Sequence, residues 1–210
     1  MKVVLYGATG MIGSRILTEL LARGHQVTAV VRNTAKVPSL PGVLPLHGDQ
    51  LDPESVSSTA RGADAAISAF SPGVEAPGQT LTLAFRSLVK GLKDAGVNRL
   101  IVVGGAGSLE VAPGLQLVDT PHFPPAWKAI AEAHRHAMQV LRDSDLDWTS
   151  LSPSAVIEPG TRTGKFRLGT DQLIVDEKGE SRISAEDYAV ALVDELERPQ
   201  HIRRRFTVGY

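Results

Sequence analysis

Short unbroken apolar runs recur along this sequence. Most are followed by a stretch in which apolar residues return every three or four positions, the rhythm of a helix with one buried face. Runs at residues 3–6, 25–32, 42–47, 63–70, 99–103 and 147–151 read as strands. RLIVV at 99–103 is continuous, as expected of a central parallel strand covered on both faces. Ile12, Ile16, Leu20 and Leu21 mark a first helix stopped at Gly24, and Asp52, Pro53 and Glu54 open a second that closes near Gly62. A third helix spans 80–95, with Leu83, Ser87, Leu88 and Leu92 along one side and Gly96 as its stop. A fourth spans 126–143, with Ile130, Ala133, Ala137, Val140 and Leu141 as its apolar face. Ser184 and Asp187 carry the signal of a capped start for the last helix, which runs to about Glu197 before Pro199. FTVGY, at 206–210, reads as the final strand.

Two stretches break the rhythm. Residues 111–125 carry Pro113, Pro121, Pro124 and Pro125 without periodicity, and read as a long loop serving as a lid over a substrate. Residues 161–184 hold two short alternating runs on either side of 169–171, which reads as a β-hairpin. Alternation of strand and helix specifies an α/β fold. The expectation is a doubly wound parallel sheet with helices on both faces and a small C-terminal hairpin and helix extension, in one domain over 1–210. Substrate-side elements are expected at 109–127 and 153–184.

The turn between the first strand and the first helix carries the clearest chemistry. Gly7, Gly10 and Gly13 fall at a GxxGxxG spacing, with Ala8 and Thr9 filling the turn. A pyrophosphate approaches backbone closely only where no Cβ holds it away, and the first N–H groups of a helix have no intrahelical partner. The position after the second strand distinguishes nucleotides, since a ribose hydroxyl is held by a carboxylate and a 2′-phosphate by cations. Here stand Arg32 and, four residues on, Lys36, with no acid before Asp49, so NADP(H) is favoured over NAD(H). Two solvated surface cations are the plainer alternative. Asp49 reads either as an acceptor for the adenine amino group or as a turn aspartate, with Gln50 and Leu51 beside it. The small end of the fourth strand, Ala69, Phe70 and Ser71, leaves room for a ribose.

A second glycine-rich turn, Gly104, Gly105, Ala106, Gly107 and Ser108, ends the fifth strand, and in a doubly wound sheet it crosses the nicotinamide half of the pocket. Ser108 offers a hydroxyl there, unless it is an ordinary turn serine. Pro153, Ser154 and Ala155 follow the sixth strand at the same edge. His122, Phe123 and Trp127 are bulky candidates for the pocket wall, and His122 or His134 is the available proton source.

Composition narrows the classes. Lys and Arg total 22 against 23 Asp and Glu, which gives no broad attraction to nucleic acid or an anionic membrane. There is no cysteine, hence no disulfide and no thiolate site. No apolar run approaches the roughly 18 residues of a spanning helix, and no ligand set for a metal stands out. A cytoplasmic protein, monomer or homodimer, is expected. Arg203, Arg204 and Arg205 read as a solvated face.

With GATGMIG at 7–13, GDQLD at 48–52, LDWTSLSPSAVIEPG at 146–160, DQLIV at 171–175, GESRIS at 179–184 and RFTVGY at 205–210, the chain resembles the atypical short-chain dehydrogenase/reductase superfamily. Within it, the chain is most similar to the small Rossmann-type NAD(P)H-binding proteins grouped as NADH-flavin reductases, relatives of flavin/biliverdin-IXβ reductase and of NmrA-like proteins. The resemblance implies phosphate-binding roles for Gly7, Thr9, Gly10, Met11, Ile12 and Gly13, and an NADP-selecting role for Arg32. The superfamily's YxxxK pair would fall at Ile130 and His134. The tyrosines are Tyr6, Tyr188 and Tyr210, and none is followed by lysine four residues on. Reduction of a simple carbonyl needs a group that moves a proton as the hydride moves. A flavin accommodates the charge itself, so the implied reaction is hydride transfer from NADP(H) to a flavin or similar planar acceptor. The rival implied by the same departure is an NmrA-like NADP(H) sensor without turnover. An epimerase or dehydratase is a third reading, which lacks the larger C-terminal substrate domain such enzymes carry.

Overall fold

The computed structural model describes residues 1–73 and 78–210, so part of the predicted break after the fourth strand lies outside it. Its first half runs β1 (Lys2–Tyr6), α1 (Met11–Ala22), β2 (Gln26–Val31), β3 (Val43–His47), α2 (Pro53–Ala60), β4 (Ala65–Ser68), α3 (Thr80–Ala95) and β5 (Arg99–Val103). The second half runs β6 (Glu110–Ala112), β7 (Leu115–Gln116), α4 (Pro125–Arg142), β8 (Asp147–Ser152), β9 (Val156–Glu158), β10 (Arg167–Gly169), β11 (Arg182–Ser184), α5 (Ala185–Glu197) and β12 (Arg204–Gly209).

Eight strands form one sheet in the order β3-β2-β1-β4-β5-β8-β12-β10. All neighbours pair in parallel except β10, which runs antiparallel to β12. The order proceeds outward in opposite directions from β1 and β4, so the crevice beyond their carboxyl ends is where a doubly wound sheet takes a ligand. Period-two alternation divides the core. Val3 and Leu5 pack with Ile16, Leu20 and Leu192 on the α1 and α5 side. Val4 and Tyr6 pack with Val56, Leu88 and Leu141 on the side of α2, α3 and α4.

Local signals act as the sequence suggests at several ends. Asp52 accepts from the Glu54 N–H at 3.0 Å, with Pro53 in the first turn, and Ser184 Oγ accepts from the Asp187 N–H at 3.0 Å. Gly96 closes α3 at φ 75°, a conformation that costs glycine little. Other expectations fail. Ser87, Leu88 and Leu92 are buried as read, but Leu83 is 50% exposed, and Leu81, Ala84 and Phe85 complete the sheet-facing stripe of α3 in its place. The hairpin expected around 169–171 does not form. Its first run, β10, pairs with β12, while its second, β11, pairs in parallel with β9. Both runs find better partners at distant strand edges than in each other.

The long proline-bearing loop is also less free than expected. β6 and β7 form a small antiparallel pair, Val118 is buried, and Arg135 holds Asp119 at 2.9 Å. The Glu110 N–H donates to Asp171 O and the Leu173 N–H to Glu110 O, which ties this segment to 171–173.

Candidate cofactor and substrate site

The β1–α1 turn lies at the switch point and is built around absent side chains. Gly7 has φ 78°, and a Cβ there would stand 2.5 Å from Ala69 O on the neighbouring strand end. A Cβ at Gly13 would drive into Gly7 O, so the turn and the first helical turn can close only with glycine at both. Gly10 is the N-cap of α1 and supplies no side chain to occupy the first N–H groups. Thr9, Gly10 and Met11 are exposed, Ile12 is half-buried, and Ala8 is buried beneath them. The result is a bare positive helix end at the sheet's ligand edge, suited to a diphosphate.

Arg32 follows β2, the strand next to β1, and Lys36 ends the short turn after it. Both are exposed, and the ion pairs among the described residues include neither. The Asn33 side chain orders the intervening turn by accepting from the Ala35 N–H at 3.1 Å. Asp49 is half-buried, and its Oδ1 accepts from the Leu51 N–H at 2.9 Å. That is the turn role, and it leaves Oδ2 available. Gln50 is turned into the protein, where Ser68 Oγ donates to its Oε1 at 2.8 Å and its Nε2 lacks a partner among the described residues. Leu51 is exposed. Ala69 and Phe70 are half-buried at the crevice, and Ser71 is exposed beyond them.

On the far side, Gly104, Gly105 and Ala106 are half-buried along the end of β5. Close approach again explains the glycines. A Cβ at Gly105 would lie 2.9 Å from the Cβ and Cγ of His134, and one at Gly107 would lie 2.6 Å from the Ala131 Cβ, so α4 rests directly on this turn. Pro153 and Ser154 are buried and Ala155 is exposed; Ser154 Oγ donates to Val208 O at 2.8 Å, so its hydroxyl serves the sheet.

The three candidate catalytic side chains part ways. Ser108 Oγ accepts from Arg205 Nη1 at 2.8 Å, and Ser108 O accepts from the same nitrogen at 3.0 Å. Burial lowers the His134 pKa from 6.5 to about 4, so the imidazole is neutral at neutral pH. His122 is exposed, ahead of α4.

Arg203 and Arg204 are exposed, as the reading of a solvated face has it, but Arg205 is not. Its side chain is only 9% exposed and is paired with Asp171. The signal was present in the alternation of β12. Phe206 faces the α1 and α5 side, so Arg205 must face the other.

No tyrosine stands in α4, whose residue 130 is isoleucine. Tyr6 hydrogen-bonds with Thr59 at 3.0 Å, Tyr188 donates to Leu151 O at 2.6 Å, and Tyr210 donates to Asp187 at 2.7 Å. Burial pushes the Tyr6 hydroxyl up to about 12, against a smaller opposing effect of Thr59, and pushes Tyr188 well above the ordinary value. Among the described residues, no group of three or more His, Asp or Glu side chains is placed to hold a metal ion.

A model of the NAD(P)H-binding family matches residues 7–199, from the first glycine of the turn to just past the end of α5. This chain belongs to that family. Three solved members of the same structural class align over nearly their whole lengths. A Burkholderia pseudomallei protein provisionally named as exported is 51% identical, with all of each chain covered and a TM-score of 0.92. A provisionally named epimerase of Bacteroides thetaiotaomicron is 42% identical, with 100% of this chain and 96% of that one covered and a TM-score of 0.94. A provisionally named NADH-flavin reductase of Streptococcus pneumoniae is 34% identical, with 100% and 99% covered and a TM-score of 0.87. The NAD(P)H-binding family, with its oxidoreductase members, therefore supplies both the fold and the cofactor class. No helix among the described residues is long and apolar enough to cross a membrane.

Proposed function

We propose that this chain is an NADP(H)-dependent reductase whose acceptor is a flavin or a similar planar conjugated molecule. The observation that carries the reading is the commitment of all three tyrosine hydroxyls to other groups of the protein, beside a histidine that burial keeps neutral. An acceptor that needs a proton delivered by the protein is poorly served by such a site. An acceptor that delocalises the incoming charge, and takes its proton from water, is not. The same observation weighs against epimerisation, in which a sugar hydroxyl must lose a proton to a protein base as hydride leaves its carbon. The name of the pneumococcal neighbour agrees with the reductase reading.

The residues fit the nucleotide. The α1 N-terminus, with Gly7 and Gly13, would hold the diphosphate, Arg32 and Lys36 the 2′-phosphate, and the free Asp49 oxygen the adenine amino group. Gly104 to Ala106 and Pro153 to Ala155 would position the ring. When bound, the nicotinamide supplies a hydride; the chain's contribution is to hold donor and acceptor in contact and keep water from between them. Arg205 fixes Ser108 by donating to its oxygen, which leaves the Ser108 hydrogen to point towards the acceptor.

The test is loss of NADPH absorbance with purified protein, with and without FMN, FAD or riboflavin, alongside an NADPH binding titration. Turnover with a flavin supports the proposal. Tight NADPH binding with no turnover on any flavin overturns it in favour of a sensor.

A further inference from the structure

We propose that Trp127 is the stacking platform for the acceptor ring, an inference that rests on the reductase reading of the site. α4 connects the carboxyl end of β5 to the start of β8, so its N-terminus stands at the ligand edge of the sheet. The height of the helix is fixed by two contacts described above: His134 lies against Gly105, and Ala131 against Gly107. Trp127 precedes Ala131 by four residues and His134 by seven, which places all three on one helical face. Two turns separate Trp127 from His134, a rise of roughly 10 Å. The face that rests on the glycine turn thus continues past the sheet, and the side chain that continues it is an indole.

That indole is 56% exposed, and residues 124–129 are exposed throughout. Trp148, the protein's other tryptophan, is 5% exposed and lies in β8. A helix whose later turns are sewn to the sheet holds its first turns rigidly, so the exposed indole is presented in a fixed place beside the nicotinamide half of the crevice. A large aromatic surface open on one side and continuous with a cofactor cleft suits a flat ring that stacks and leaves again. The acceptor class is therefore a tricyclic, isoalloxazine-like ring system rather than an aliphatic carbonyl compound.

The test uses the whole protein saturated with NADP+, which cannot donate hydride, and follows riboflavin binding by the quenching of riboflavin emission. Trp127→Ala should weaken riboflavin binding about tenfold, within the range seen when an aromatic platform beneath a ring is removed. Trp127→Phe should retain most of the affinity, and NADP+ affinity and melting temperature should be unchanged in both. Equal riboflavin affinity in the unsubstituted protein and Trp127→Ala, or no riboflavin binding to either, overturns the inference. Failure of the reductase reading shows separately, as absent NADP+ binding or absent turnover, and a Trp127-dependent riboflavin complex would survive it.

Discussion

Arg32 and Asp49 occupy comparable positions after neighbouring strands, and the structure treats them differently. Asp49 spends one oxygen on the turn that presents it, whereas the Arg32 guanidinium is exposed and outside every ion pair described. Hydrogen bonds to charged groups contribute about 1.5–3 kcal/mol, so Arg32→Ala should raise the KM for NADPH about ten- to hundredfold and leave that for NADH nearly unchanged. Steady-state kinetics with both nucleotides decides it; equal effects on the two remove the assigned role. His134 makes a prediction of opposite electrostatic sense. Above pH 6.5 its imidazole is neutral in both the folded and unfolded chain and contributes nothing to pH dependence. Between 6.5 and about 4 only the unfolded chain takes up the proton, so stability falls as pH drops through that window. Denaturant unfolding should show this slope reduced in His134→Gln relative to the unsubstituted protein.

The α5 N-terminus joins three otherwise separate segments through one carboxylate. Asp187 is fully buried and accepts from the Thr163 N–H, the Gly164 N–H and the hydroxyls of Thr163 and Tyr210. Burial alone would raise its pKa; the hydrogen bonds, led by the Thr163 hydroxyl, outweigh it and hold the value below 3.8. The stabilisation is present above the ordinary carboxylate pKa and disappears as pH falls through the depressed folded value. Asp187→Ala should cost about 3 kcal/mol, since it removes a charged acceptor that the Thr163 and Gly164 N–H groups and two hydroxyls share, and urea unfolding at neutral pH would register it. The capping signal at Ser184 was legible in the sequence because it lies within one turn. The rest of the Asp187 cluster was not, because its partners come from 163–164 and 210. The failed hairpin has the same cause: β10 and β11 are too short to advertise which distant edge will receive them, whereas the longer runs β1 and β5 declared themselves through unbroken apolar character.

Across the whole molecule, two glycine-rich turns face each other over the switch point, and both could be read from sequence as the ends of buried strands. The reason Gly7, Gly105 and Gly107 are required could not, since it lies in contacts with Ala69, His134 and Ala131 on other elements. Arg205 was misread for a related reason: a charge run looks solvated until the strand carrying it is known to be internal. That internal position has a kinetic side. β12 is the last of the eight sheet strands in sequence, yet it sits between β8 and β10, and its Phe206 and Val208 are buried in the core. During synthesis, β8 and β10 must wait with open edges until residues 204–209 leave the ribosome, and the sheet can close only then. A chain cut back to residue 203 should therefore be protease-sensitive, and one extended through residue 209 should gain protection in a single step.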